Sequence, residues 1–433
     1  MYADLLRRVP TAERLRTTDP EARLIEAGEI AQALIDEEFR RNGFDALTPL
    51  HRAALSFARG HECELALPDV IESKVPEGYA FYAVYPALYE RAARSLPKAE
   101  RNVVIGIRSI GTSLGAVVAN AVDADLFITV RPVGHPFQRE LALREDIIDR
   151  GARYLIVDEG PGLSGSSFGC VADYLEDHGV DQIVMMPSHA GSPGPQASAR
   201  HLERWRSVQR PVADFDAFFC DTILPEIAQL AGPVDGEPRD LGAGAWRTFV
   251  KGADEVPVWK NRERRKYLLD GKWLAKFAGI GPYGAAKLEK ARRLTTIPHV
   301  LGLVRGFLIE QWIDGARIAD RASLREPVRR HLEQLRGLDS DNRMHPWEWI
   351  EAPDGRILKC DALDHSLAHD GLGARGSEWD TAGAVVELGL DYDVDVREYA
   401  AAQEQIFRQG ARESDAEEAR RLNRRADYYA SFT

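Results

Sequence analysis

The stretch Tyr154-Leu-Ile-Val-Asp-Glu-Gly-Pro-Gly-Leu-Ser-Gly-Ser-Ser-Phe168 decides the reading of the first half of this chain. Its apolar start predicts a buried strand, Asp158 and Glu159 close that strand, and a Gly/Ser loop leads into a helix beginning near Phe168. Such an order puts carboxylates and small-residue amides together at the carboxyl edge of a sheet, where open α/β folds bind ligands. Backbone N–H groups of Ser164, Gly165, Ser166 and Ser167, at a helix N-terminus, suit a phosphate. Asp158 and Glu159 suit sugar hydroxyls or a Mg²⁺ ion. The run Gly160 to Gly165 also matches the GxxxxG spacing of a P-loop, but the lysine that such a loop uses on the β/γ phosphates is missing.

A second stretch, Val103-Val-Ile-Gly-Ile-Arg-Ser-Ile-Gly-Thr-Ser-Leu-Gly115, repeats the plan of strand, small-residue turn and apolar helix, the last over residues 116–122. Arg108, Gly111, Thr112 and Ser113 there point donors at a second anionic group. Together the two loops resemble the type I phosphoribosyltransferases over roughly residues 75–235. The resemblance implies that residues 108–112 grip pyrophosphate, that Asp158 and Glu159 hold the ribose hydroxyls and Mg²⁺, and that residues 164–167 cradle the ribose 5-phosphate. It also makes residues 131–139, Arg-Pro-Val-Gly-His-Pro-Phe-Gln-Arg, the counterpart of the mobile catalytic loop. His135, Arg131 and Arg139 would there stabilise the leaving pyrophosphate. The family's loop glycine falls one residue closer to its acidic pair than Gly165 does, so either the loop carries an insertion or Glu159 acts alone.

At 433 residues and 44% hydrophobic content, the chain has material for two or three cores. A formal net charge of −12 argues against nucleic acid or an anionic membrane as the main partner, the basic run Lys260 to Lys266 being a local exception. Cys63, Cys170, Cys220 and Cys360 have no metal-binding spacing and suggest no disulfide scaffold; with no apolar leader and no membrane-length stretch, the expected home is the cytoplasm.

Leu24, Ile25, Ile30, Ala31, Leu34 and Ile35 recur at helical steps, predicting two or three helices over residues 20–60 and an extended piece near 63–70. The aromatic run Gly78 to Glu90 reads either as core packing or as a hood over a flat ring. Strands are expected at residues 103–107, 126–130, 154–157 and 182–186, alternating with helices as in a parallel sheet. His189 and Ser192 follow the last of these on the same sheet edge. The proline- and glycine-rich segment 231–244 predicts a linker. The expected organisation is an α/β fold: a helical N-terminal region or hood (1–95), a phosphoribosyltransferase-like parallel-sheet domain (96–235), a linker (236–244) and a compact α+β domain (245–433). The last twenty residues predict a charged terminal helix.

In that last domain, Arg265 to Phe277 alternates as two strands joined at Asp270-Gly271, with Lys276 on the second. A helix over residues 285–294 carries Glu289, and Gly306-Phe-Leu-Ile-Glu-Gln-Trp-Ile-Asp-Gly315 is a strand running into a polar turn. Strand lysine, helix glutamate and hinge resemble the aminoglycoside phosphotransferase branch of the protein-kinase-like fold. The resemblance implies ATP held by Lys276, Glu289 and the hinge at Glu310, Asp361 and Glu348 as metal ligands, and Asp380 as a structural aspartate. Asp364, His365 and His369 lie close by in sequence. Arg343 stands where the family carries its catalytic aspartate. Three readings stay open there: Asp341 serves as the base, the domain binds ATP without hydrolysing it, or the substrate is already ionised.

The expected function is therefore a Mg²⁺-dependent phosphoribosyltransferase acting on phosphoribosyl pyrophosphate (PRPP) and a small base or metabolite, coupled to an ATP-dependent small-molecule kinase. The first family often forms homodimers. Two alternatives remain, a nucleotide-binding sensor with degenerate sites and a hydrolase or phosphorylase of ribosyl phosphates.

Overall fold

The computed structural model describes residues 75–433 except 109, 136, 142, 144–146, 319–320, 364, 366–371 and 374. The helices expected over residues 20–60, the extended piece near 63–70, and Asp364 and His369 lie outside the described residues. Two compact units emerge, one comprising residues 75–79 and Val84–Phe218, the other Ala80–Ala83 and Phe219–Thr433.

The first unit is built on a parallel sheet of order β2-β1-β5-β6. Its strands are β1 (Asn102–Ile107), β2 (Leu126–Val130), β5 (Arg153–Val157) and β6 (Ile183–Met186); β3 (Val133–His135) and β4 (Gln138–Glu140) form a separate antiparallel hairpin. β1 and β5 are buried along their whole length, which is why both read as unbroken apolar runs. Around the sheet lie α1 (Pro86–Arg94), α2 (Gly111–Ala121), α3 (Ser166–Asp177) and α4 (Ala199–Ser207). One core joins Ile105, Ile107, Tyr154, Ile156, Phe168, Val171, Leu175, Met185 and Trp205. Each fully buried large apolar side chain contributes ~1.5–3 kcal/mol.

Chain order reverses between β1 and β5. From β1 the chain passes through α2 to β2 on one side, and from β5 through α3 to β6 on the other. The carboxyl ends of β1 and β5 thus flank a topological switch point, the crevice where such sheets bind ligands. α2 begins five residues earlier than the apolar run alone predicts, at Gly111, so the small-residue turn is itself the first helical turn. Glycine is needed there: a Cβ on Gly111 would lie 2.4 Å from the Val157 carbonyl oxygen, and one on Gly106 2.2 Å from that of Gly111. This contact seats the start of α2 directly on β1 and the end of β5.

The second unit is α+β. A five-stranded antiparallel sheet of order β10-β11-β9-β8-β7 joins β7 (Arg239–Asp240), β8 (Lys266–Leu269), β9 (Trp273–Phe277), β10 (Val300–Val304) and β11 (Phe307–Gln311). The predicted hairpin forms, with φ of 50° at Asp270 and 65° at Gly271, the positive values that a two-residue turn between twisted strands requires. A second sheet has the order β12 (Ala316–Arg317), β13 (Trp349–Glu351), β14 (Ile357–Lys359). The helices are α5 (Leu224–Ala231), α6 (Pro282–Arg292), α7 (Arg325–Leu335), α8 (Ser377–Leu388), α9 (Arg397–Arg412) and α10 (Ala416–Ala430), the last where a charged terminal helix is expected.

The division between units falls at Phe218/Phe219, ahead of the proline- and glycine-rich segment. Phe219 stacks on Tyr267 with ring centroids 4.1 Å apart and meets Phe307 edge-on, while Glu226 of α5 pairs with Arg305 at 2.8 Å. Residues 239–240 then add the edge strand β7. The segment read as a linker is therefore an integral part of the second unit. Among the described residues, no helix is long and apolar enough to cross a membrane.

Candidate functional site

Asp158 and Glu159 leave the end of β5 at the switch point. The Glu159 backbone N–H donates to Asp158 Oδ1 at 2.8 Å, and the Tyr89 hydroxyl donates to the Asp158 carbonyl at 2.8 Å. Burial raises Asp158 to about 7, against the Glu159 backbone N–H and the Arg139 guanidinium, which lower it. Burial, then Asp158 and Glu77, raise Glu159 to about 8. An isolated Cβ on Gly78 would stand 2.9 Å from Glu159 Oε2, so the start of the aromatic run closes directly over this carboxylate. Tyr79 is fully buried and bonds the Ser113 hydroxyl at 2.6 Å, tying the same run to the first turn of α2. Of the two readings of that run, Tyr79, Tyr85 and Tyr89 are core residues of this unit.

The two small-residue loops lie at neighbouring strand ends. Arg108 follows β1, is buried, and its backbone N–H donates to the Val130 carbonyl at 2.8 Å. Thr112 and Ser113 are buried in the first turn of α2. After β5, Gly162 and Gly165 take φ of 55° and 64°, and α3 starts at Ser166, two residues earlier than expected, with Gly165 capping it. The Ser164 hydroxyl donates to Ser166 Oγ at 2.9 Å. Ser167 lies in the first turn of α3. The loop after β6 braces this turn: the Gly194 N–H bonds the Gly162 carbonyl at 2.9 Å and the Gln196 N–H that of Leu163 at 3.0 Å. A Cβ on Gly160 would sit 3.0 Å from His189 Nε2, which places that imidazole against the loop.

The segment expected as a catalytic loop is the β3–β4 hairpin. Its Arg139 donates to the Pro132 carbonyl at 3.1 Å and acts electrostatically on Asp158, whereas His135 is exposed and its Nδ1 accepts from the Phe137 N–H at 3.2 Å. The structure thus gathers Arg108, Gly111, Thr112, Ser113, Asp158, Glu159 and the turn 164–167 at the switch point. A cation fits this crevice, because two half-buried carboxyls with raised pKa values gain from compensating charge.

The second unit holds a cavity of about 280 Å³. Lys276, Glu310, Gln311 and Trp312 from β9 and the end of β11 line one side, and Arg343, Glu348, Asp361 and His365 another. Lys276 pairs with Asp361. Desolvation opposes ionisation of Asp361, but Lys276 and His365 hold its carboxyl well below the usual range. Glu289, expected to hold Lys276, is exposed and pairs with Arg292 instead. The reason is the facing of α6, which turns Lys287 and Lys290 inward; Lys287 donates to the Ala278 carbonyl.

Beneath the cavity lies a buried charge network that residue spacing did not reveal. Lys359 reaches Asp341 Oδ2 at 2.6 Å and Glu348 Oε2 at 2.9 Å, all three nearly or wholly inaccessible. His365 bridges Asp341 Oδ1 at 3.0 Å and Asp361 Oδ2 at 3.3 Å. Asp341 is 0% exposed and lies between Lys359, His331 and His365, which removes it as a base for an acceptor in the cavity. Asp380 on α8 accepts the backbone N–H groups of Asp341 and Asn342, both at 2.8 Å, and so fixes the chain that presents Arg343 to the cavity. Donor atoms of Glu348, Asp361 and His365 lie within 4.8 Å of one another, a set of carboxylate and imidazole ligands fit for a divalent cation. Burial lowers Arg317, on the same cavity, to about 10, which leaves it charged at neutral pH.

No family model matches this chain, and no curated protein does. Among solved structures it is similar to a purine phosphoribosyltransferase from Pyrococcus horikoshii, at 16% identity over 26% of this chain and 73% of that one, with a TM-score of 0.19. It is also similar to an adenine phosphoribosyltransferase from Giardia lamblia complexed with 9-deazaadenine, at 18% identity over 29% of this chain and 77% of that one, TM-score 0.22. A third, from Trypanosoma brucei in complex with AMP, pyrophosphate and ribose-5-phosphate, shows 15% identity over 28% of this chain and 62% of that one, TM-score 0.21. Scores this low carry no weight of their own.

Proposed function

We propose that the first unit is a phosphoribosyltransferase-type enzyme that binds a 5-phosphoribosyl group with Mg²⁺ and makes or breaks its bond to a small base or metabolite. The observation that carries this reading is the pairing, at one switch point, of two helix-opening loops with an acidic pair between them. In this reading the amides of residues 164–167 bind the 5-phosphate, Arg108 and residues 111–113 take the pyrophosphate, and Asp158 and Glu159 orient the ribose hydroxyls. Mg²⁺, held by the acidic pair, would offset charge on the pyrophosphate. Arg139, on the neighbouring hairpin, stabilises the departing anion, which is electrostatic catalysis with little proton transfer. Tyr79 and Gly78 exclude water from the Glu159 side.

The second unit, in the same proposal, is kinase-like and binds ATP in its cavity. Lys276 orients phosphates, the residues after Glu310 meet the adenine, and Glu348 and Asp361 hold the metal. The buried Asp341 and the guanidinium at position 343 favour a second reading in which this unit senses nucleotide without turnover.

Calorimetric titration of the full chain with Mg²⁺ and PRPP tests the first unit. Binding in the micromolar range, weakened at least tenfold in the Asp158→Ala, Glu159→Ala protein but not in Lys276→Ala, is the expected result. Absence of binding by the folded chain would remove PRPP as its ligand. Consumption of PRPP or ATP with an acceptor separates enzyme from sensor.

A further inference from the structure

We infer that the phosphoryl acceptor of the second unit is an oxyanion, a carboxylate or a phosphate, held against Arg343 and Arg317. The inference rests on the ATP-binding reading of that unit and adds to it the class of acceptor.

Three observations carry it. First, the residue presented to the cavity by the Asp380-anchored backbone is Arg343, a group that does not accept a proton at neutral pH. Second, among the described residues no other group on that wall is placed to serve as a base. Asp341 is wholly buried, and both ring nitrogens of His365 face carboxylates, as do those of His345, which lie 3.2 Å from Glu348 and 3.8 Å from Glu387. Glu348 is held by Lys359 and Asp361 by Lys276. Third, Arg317 brings a second guanidinium to the cavity, 5.3 Å from the Trp246 ring, and its Nε is buried without a hydrogen-bond partner among the described residues. A desolvated guanidinium beside an open cavity is a receptor for a carboxylate or phosphate oxygen.

The chemistry balances without a base. An anionic oxygen attacks the γ-phosphorus of ATP, the bond from that phosphorus to the β,γ-bridging oxygen breaks, and ADP departs with the electron pair. The product is an acyl phosphate from a carboxylate, or a phosphoanhydride from a phosphate, and no proton is released. An alcohol acceptor would release one, and among the described residues the wall at position 343 offers no group to receive it. The two cations also offset the repulsion between an anionic nucleophile and the γ-phosphate, which is the main obstacle to this kind of transfer.

Calorimetry on the full chain tests the inference in two stages. Titration with Mg²⁺-ADP comes first, and binding that is lost in Lys276→Ala upholds the nucleotide reading. The ADP-loaded protein is then titrated separately with inorganic phosphate, acetate and glycerol. Saturable binding of phosphate or acetate, at least tenfold weaker in Arg343→Ala and partly restored in Arg343→Lys, with ADP affinity kept within twofold, is the expected outcome. Which of the two anions binds tells phosphate from carboxylate acceptors. Binding of glycerol alone, or anion binding unchanged in Arg343→Ala and Arg317→Ala, would overturn the inference while leaving the ATP site standing. Failure of Mg²⁺-ADP to bind the folded chain would remove the ATP reading and the inference with it.

Discussion

The two carboxyls after β5 set a pH dependence that single residues control. Both Asp158 and Glu159 have folded-state values raised, to about 7 and about 8, from ordinary values of 3.8 and 4.5. A raised acid binds its proton more tightly in the folded state, so its contribution to stability is complete below the ordinary value and is lost as pH rises through the folded one. The metal-free chain is therefore expected to lose melting temperature between about pH 5 and 8 more steeply than the Asp158→Asn, Glu159→Gln protein. Saturating Mg²⁺ should flatten the wild-type profile. Parallel profiles for the two proteins would show that these carboxyls titrate normally. Their adjacency was readable in the sequence. Their crowding was not, because Glu77 and Gly78 approach from about eighty residues away in the chain.

At the scale of elements, α8 does more than cover a core. Through Asp380 it accepts two backbone N–H groups of a segment about forty residues earlier. Each freed amide would remain buried and unsatisfied, at ~1–3 kcal/mol. Asp380→Ala is thus expected to lower unfolding free energy by about 3 kcal/mol or more in denaturant titration. Glu378→Ala, one turn end of the same helix but exposed, should change it by less than about 0.5 kcal/mol. Equal effects would mean that α8 stabilises by packing alone. A strand lysine and a structural aspartate were legible from their flanking residues. The partner of Lys276 was not: helix spacing nominated Glu289, whereas the fold supplies Asp361 from 85 residues away. The Lys359 network, likewise, joins β14 to a loop and to Glu348 and leaves no periodic trace.

For the whole molecule, the position of the division between units decides which fragments are stable. Fragment 219–433 keeps the Phe219 stack on Tyr267, α5 and the edge strand β7, whereas fragment 245–433 loses all three. The shorter fragment is expected to melt several degrees lower and to bind a hydrophobic dye more strongly, since its loss bares the edge of β8 and the Phe307 face. Identical melting curves would show that residues 219–244 are dispensable. Glycine and proline content nominated that segment as a linker, and composition alone cannot register an aromatic stack formed with residues further along the chain. The parallel sheet was the most legible feature: its four expected strands appear within a residue of the apolar runs, because strands buried on both faces read as short continuous apolar runs bounded by turn residues.

Because Asp380 grips the main-chain amides of residues 341 and 342, its hold makes no use of the side chain at the next position. Position 343 is thereby an interchangeable socket. One codon can exchange a cation for a proton acceptor there while the scaffold stays put, so the reaction class of this half of the protein can diverge without the fold having to follow.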